Sequence, residues 1–341
     1  MRRCAMCVAL LCLGFTTSSG AAADTGFFDL TAFTLPFTEA HNAVPEAINN
    51  LGQIVGSYND AAGHAHGFVR DARGRFYPID VTIPGTTTDD TVVRGMNDFG
   101  VIVGSYTAAA GPANRHVHGF VLARGVFTPL DAPVAGAFNT RPRGINDYGA
   151  IVGSYDTTTG RQAFVRYDST KRFHRLVLPF AGADGFAFAC AIDNLGQVLG
   201  GYRDTAGFLH GFLVAEGAPM ALNAPGAIET LPTGINDLGQ IVGVYVDDRH
   251  AVQSFFESDG HFRTIDLPGA PATILSRAHL TSAPFPALVP GVFGLSNAQI
   301  TGIFRDTSDA FHSFLGVLGI PPERGRTRGS AHVNVFPTGG P

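Results

Sequence analysis

The chain has 341 residues with 23 Lys+Arg, 28 Asp+Glu and no tryptophan, a formal net charge of −5. An acidic balance disfavours nucleic acid as a partner of the whole surface. No segment is apolar over the roughly 18 residues that a membrane helix needs, so no membrane insertion is expected.

Residues 1–23 open with Arg2 and Arg3, continue through an apolar run from Ala5 to Phe15, and end in Ala21-Ala22-Ala23. That order is a secretory signal peptide, with cleavage expected after Ala23. Leu11 before Cys12 argues against a lipoprotein site, and Arg2-Arg3 lacks the flanks of a twin-arginine signal. A secreted or periplasmic location by the general export route is therefore expected. Cys4, Cys7 and Cys12 fall within the leader, so Cys190 alone remains and no internal disulfide is expected. Loss of two arginines leaves 21 Lys+Arg against 28 Asp+Glu, a net charge near −7.

From residue 24 onward the chain repeats one phrase. AINNLGQIVGSY begins at Ala47, GMNDFGVIVGSY at Gly95, GINDYGAIVGSY at Gly144, AIDNLGQVLGGY at Ala191, GINDLGQIVGVY at Gly234, and a degenerate GLSNAQITGIF at Gly294. Taking Asn49, Asn97, Asn146, Asp193, Asn236 and Ser296 as markers, the steps are 48, 49, 47, 43 and 60 residues. Self-similarity at this period marks a propeller or a solenoid. Each unit holds four short strand candidates bounded by Gly, Pro, Asn and Asp. The first ends in G-I-N and the second is G-x-I-V-G-x-Y. The third is H-G-F-V or a variant: His66-Gly67-Phe68, His118-Gly119-Phe120, Gln162-Ala163-Phe164, His210-Gly211-Phe212, Ser254-Phe255 and His312-Ser313-Phe314. The fourth is F-x-x-[IL]-D, as in Phe76–Asp80, Phe127–Asp131 and Phe262–Asp266.

The sixth unit stops after its third strand, whereas a spare strand candidate, Phe28–Phe33, precedes the first unit. Complementary ends favour a closed ring over an open superhelix, which needs polar caps. The expected fold is all-β: a six-bladed β-propeller over residues 24–316, four antiparallel strands per blade, with the last blade closed by the N-terminal strand. Residues 317–341, polar and rich in Pro and Gly, are expected to be a disordered C-terminal tail.

The paired His-Gly-Phe and G-I-N-D-x-G-x-I-V-G-x-Y motifs resemble the HAF extracellular repeat family of bacterial secreted proteins, over roughly residues 28–315. The resemblance implies a secreted repeat protein and carries no catalytic residues with it.

The N-D-x-G turns suit Asx-turn chemistry, since Asn and Asp bond their own backbone two residues on and Gly supplies positive φ. One carboxylate per turn, Asp98 or Asp147, is too sparse for calcium, so neither a metal nor a cofactor is expected. Asp60 and His66, Asp204 and His210, and Asp306 and His312 stand six apart, as do Asp156 and Gln162, and Asp248 and Ser254. In register, each acid would face its histidine across a hairpin mouth, a structural clasp repeated around the ring.

Function is expected where the repeat is broken. Three residues before each marker stand Glu46, Arg94, Arg143, Cys190, Thr233 and Phe293, with Arg141 two residues before Arg143. If the first strand lines the channel, these form an uneven ring, and Glu46, Arg94, Arg141, Arg143 and Thr233 become candidate ligand-binding residues. Converging guanidinium groups suit carboxylate or phosphate; inter-blade salt bridges with Glu46, Asp89 or Asp90 are the competing reading. Cys190, within FAFACAID, reads as a buried inert thiol. The insertion PATILSRAHLTSAPFPALVPG could be a lid or surface slack.

Two readings follow. One is a secreted non-enzymatic scaffold, taken as a monomer, that binds a glycan, a surface polymer or a protein through its loop faces. The alternative is a hydrolase or lyase on an anionic polysaccharide at the channel mouth, using Glu46, Arg94 and Arg143 with His64, His116 or His250.

Overall fold

A computed structural model describes residues 28–84, 88–108, 116–265, 267, 273–274, 291–305 and 311–318. Residues 1–27 (which include the expected signal peptide), Asp306 and almost all of the expected 317–341 tail lie outside these residues, although the last strand runs on to Leu318.

Six antiparallel four-stranded sheets surround a central channel, a six-bladed β-propeller. We letter the strands A to D from the channel outward. Blade 1 shows the plan: A is His41–Ile48, B Ile54–Asn59, C Ala65–Arg70 and D Phe76–Ile79. The other A strands are Thr88–Met96, Phe138–Ile145, Ala187–Ile192, Glu229–Ile235 and Gly291–Leu295. In blade 6, B is Gln299–Arg305, C is Phe311–Leu318, and D is the early segment Phe28–Phe33, paired antiparallel from Phe28↔Leu318 to Phe33↔Ser313. The ring is thus sealed by its own beginning, and no C strand is left as an open edge there. Within the long sixth step, Thr273–Ile274 pairs with Ala251 and Val252; the rest of that insertion lies outside the described residues.

The strands form where β-branched and aromatic residues concentrate. Blades are buried on both faces at B and C, so the B strands read as nearly continuous apolar runs rather than alternating ones. Phe68, Phe120, Phe164, Phe212, Phe255 and Phe314, one per C strand, are fully buried. The core lies between neighbouring sheets: Val55 and Ile79 of blade 1 pack with Val93, Met96, Tyr106 and Phe120 of blade 2.

Every A strand carries a β-bulge at the same place. The A–B register slips between Pro45 and Ala47, Val93 and Gly95, Pro142 and Gly144, Ala189 and Ala191, Pro232 and Gly234, and Val292 and Gly294. The residues that the A–B register skips are Glu46, Arg94, Arg143, Cys190, Thr233 and Phe293. A bulge re-aims its side chain, and here it turns six of them into the channel. The B-strand glycine opposite each bulge explains its own identity. A Cβ on Gly56 would meet the Val44 carbonyl oxygen at 2.2 Å and the Phe68 ring at 2.8 Å; on Gly104 it would meet Val92 and Phe120 at 2.2 and 2.8 Å.

Candidate functional site: the channel and its two ends

The six bulged residues surround an opening of about 320 Å³ in the channel. Arg94 Nη1 donates to Glu46 Oε1 at 2.7 Å, an ion pair joining blades 1 and 2, with both side chains nearly buried. Here the competing reading, an inter-blade salt bridge, describes the contact. The Arg143 guanidinium lies 5.3 Å from the Phe188 ring centre. Burial, reinforced by the charge of Arg94, brings the pKa of Arg143 down to about 9, so it remains a cation at neutral pH. Thr233 Oγ1 donates to the Val292 carbonyl at 2.8 Å and so spans blades 5 and 6. Cys190 is pushed up to about 11, chiefly by burial, and stays a thiol.

Arg141 does not line that opening. Two residues nearer the B–C hairpins, it donates to the Asn139 carbonyl at 3.0 Å and to Asp156 Oδ2 at 2.8 Å, while Arg161 Nε donates to Asp156 Oδ1 at 2.9 Å. Burial opposes ionisation of Asp156, but the hydrogen bonds and charges of Arg161 and Arg141 outweigh it and hold the carboxyl below its ordinary range. Phe186 carries two guanidinium groups, Arg203 at 4.3 Å and Arg161 at 5.5 Å from its ring centre. After burial, the charges of Arg94 and Arg161 contribute to lowering the pKa of both Arg141 and Arg143. Among the described contacts the carboxylates set against these four cations are Glu46 and Asp156, so arginines are concentrated toward this end of the channel on an acidic chain. Arg161 is the member the sequence reading missed; its signal was its place at the start of a C strand, beside the hairpin of blade 3.

Of the loop histidines, His64 stands 3.8 Å from Asp90, His116 packs on Phe138 at 6.0 Å between ring centres, and His250 sits in a hairpin turn with φ of 61°. The opening is lined by none of them.

The clasps form with altered partners. His66 faces Tyr58 in register and stacks on it at 5.3 Å; its Nδ1 meets Asp80 at 2.7 Å on the D side, and its Nε2 meets Asp60 at a longer 3.4 Å. His118 pairs with Asp131 at 2.8 Å, while His210 reaches both Asn223 and Asp204 at 3.0 Å. The final Asp of F-x-x-[IL]-D is thus a principal partner, because the C–D pairing brings it beside the imidazole. His312 stacks on Phe304 at 5.2 Å, and its expected partner Asp306 lies outside the described residues. Two assignments are corrected. In blade 5 the turn acid is Asp247, and Gln253, not Ser254, faces Tyr245. In blade 3 the hairpin is tighter, with Thr157 opposite Gly160, so Asp156 turns to Arg141 and Arg161 instead of Gln162.

At the other end of the channel the N-D-x-G turns do more than turn. Asn49 Oδ1 accepts from the N–H groups of Leu51 and Gln53, while its Nδ2 donates to the Asn97 carbonyl of the next blade at 3.2 Å. Asn97, Asn146 and Asn236 repeat that reach to the next blade at 3.0, 2.9 and 3.2 Å. One residue on, a second ring runs Asn50, Asp98, Asp147, Asn194, Asp237 and Asn297: the N–H of Asn50, Asp98, Asp147 and Asn194 each donates to the next side chain at 2.8–2.9 Å, and Asn297 N–H donates to Asn50 at 3.0 Å. Blade 4 reverses the order to Asp193-Asn194, and Asn194 Nδ2 bridges Asp147 at 2.8 Å and Asp237 at 3.0 Å. Burial raises the pKa of Asp193. These rings enclose a mouth of about 400 Å³. No group of three or more potential metal ligands occurs among the described residues.

No protein-family model and no curated protein matches the chain in sequence. Among solved structures it is similar to AofleA from Arthrobotrys oligospora, at 12 % identity with a TM-score of 0.51, covering 86 % of this chain and 87 % of that one. A fungal lectin, the Aleuria aurantia lectin described with a six-bladed propeller and fucose recognition, aligns at 12 % identity and a TM-score of 0.46 over 85 % of this chain and 100 % of the other. TolB from Acinetobacter baumannii aligns at 13 % and 0.48, over 77 % of this chain and 63 % of TolB. At such identities the likeness is one of fold.

Proposed function

We propose that this chain is an exported, non-catalytic propeller that binds an acidic glycan or other anionic surface polymer at the arginine-bearing end of its channel. One observation carries the reading: four guanidinium groups, Arg94, Arg141, Arg143 and Arg161, gather around the carboxylates Glu46 and Asp156, and the charges of Arg94 and Arg161 both reach Arg141 and Arg143. An anionic group bound there would relieve the mutual repulsion of the cations, and guanidinium forks suit carboxylate or sulfate oxygens. The hydrolase or lyase alternative draws no comparable support, since Glu46 is engaged by Arg94 and the thiol of Cys190 is protonated. Export and kinship with the HAF repeat family belong to the same proposal, supported by the leader and the repeated phrases.

Titration calorimetry of the full chain with oligogalacturonate and with neutral maltoheptaose tests the proposal, with product analysis on the same mixtures. Acidic binding that weakens with salt and yields no product is expected. Arg161→Ala, or Arg94→Ala combined with Arg143→Ala, should weaken it about tenfold or more, the scale of one lost charge-assisted hydrogen bond. Equal affinity for both sugars, or binding indifferent to these variants in folded protein, would overturn it.

A further inference from the structure

The end of the channel formed by the N-D-x-G turns carries a rim of exposed apolar side chains. Leu51, Phe99, Tyr148, Leu195 and Leu238, the x residues of five turns, are between 58 % and 77 % exposed. Folding does not require apolar residues there. The turn is set by the Asx side chain before it and by a glycine of positive φ after it, 74° at Gly52 and 73° at Gly100. The x residue contributes only its N–H, which Leu51, Phe99, Tyr148 and Leu238 each donate to the marker Asn at 3.1 Å. Serine or lysine would serve the turn equally. Blade-to-blade Asx bonds hold the turns side by side, so these side chains belong to one rigid rim instead of five independent tips. Clustered exposed apolar residues of this kind mark an interaction surface.

Inside the rim the chemistry is acidic. Asp98, Asp147 and Asp237 line the mouth with Asp193 deeper in, and among the described residues neither lysine nor arginine lines it. The carboxylates are positioned by N–H donors from neighbouring turns, yet each oxygen keeps a second lone pair for a further donor. The two ends of the channel are therefore opposite in sign.

We propose that this face docks a protein partner that inserts a lysine or arginine into the Asx-lined mouth and lays apolar side chains on the rim. Charge complementarity selects this occupant. A second copy of the chain, face to face, would set one acidic mouth against another. A sugar would use aromatic faces, whereas three of the five rim residues are leucines spread around the ring. An apolar rim also excludes water from a central ion pair and so strengthens it. This surface is separate from the arginine end, and the two stand or fall independently.

The probes are synthetic twelve-residue peptides with a central lysine flanked by leucine and phenylalanine, and matched peptides with a central glutamate or with serine flanks. Their binding to the full chain is read by fluorescence anisotropy. The lysine peptide should bind about tenfold more tightly than either control, and Phe99→Ser combined with Tyr148→Ser should remove about tenfold of that affinity, as loss of interface anchors does. Asp98→Asn combined with Asp147→Asn should erase the preference for lysine over glutamate. Thermal melts confirm that the variants fold, and their oligogalacturonate binding should be unchanged. Equal binding of the three peptides, or full affinity in the rim variant, would defeat the proposal. So would self-association of the parent that Phe99→Ser abolishes, which assigns the rim to a second copy, or maltoheptaose binding lost in that variant, which assigns it to a sugar.

Discussion

His66 shows how one side chain reads its surroundings. Burial works against its imidazolium, but hydrogen bonds to Asp80 and Asp60 and their negative charges outweigh that and raise its pKa. A group whose folded pKa lies above its unfolded value, about 6.5 for histidine, stabilises the fold most below that value, and the gain disappears as pH rises through the folded pKa. The Tm advantage of the parent over His66→Gln should therefore be larger near about pH 5.5 than near about pH 8.5. A difference that does not change with pH would mean the contact is not charge-assisted. Glutamine is the apt replacement, because Gln162 and Gln253 face the same tyrosine position in blades 3 and 5. The sequence spacing singled out His66 and His210 but not His118, and it paired them only with the turn acid. Which carboxylate lies nearest depends on the course of the D strand, and spacing within one hairpin carries no information about that.

Among the elements, the bulged A strand does the most to build a site. The residue that its register skips stands outside the ladder's alternation, so Glu46, Arg94, Arg143, Cys190, Thr233 and Phe293 vary while their neighbours stay small or apolar. The B-strand glycine is the structural cost of that freedom. Gly104→Ala should lower stability by about 3 kcal/mol, the scale of overpacking, because its Cβ would press on backbone and a buried ring. It should also weaken oligogalacturonate binding by moving Arg94. Gly125, with φ of 77° and open space where its Cβ would point, is the control: Gly125→Ala should cost only about 1 kcal/mol of backbone strain. Similar urea midpoints for the two variants would show that the bulge yields easily. The variable position was legible three residues before each marker. The bulge that turns it inward was not, since a bulge is a relation between two strands.

For the whole molecule, closure is the decisive event. Residues at opposite ends of the described chain, Phe28–Phe33 and Phe311–Leu318, complete one sheet. A variant beginning at Thr34 leaves that last C strand as an open edge, a template for pairing with other chains. It should melt at a lower temperature than the parent and aggregate in a concentration-dependent way, checked by calorimetry with light scattering. A truncated chain that melts like the parent and stays monomeric would show that the D strand of blade 6 is dispensable.

Blade number, strand order and the closing strand were all written in the sequence, because a repeated phrase of turn residues and β-branched runs specifies local structure that every copy must share. The chain folds into a ring because its sixth copy lacks a strand that the beginning supplies. Only the tertiary structure decided that Arg141 leaves the channel for Asp156, that Arg161 joins the arginine cluster, and that the Asx turns bond from blade to blade. It alone gathers five exposed apolar tips into one rim around an acidic mouth. The Asx bonds join residues some 43 to 60 positions apart on different sheets, and a repeat read along the chain carries no record of which side of a blade faces its neighbour.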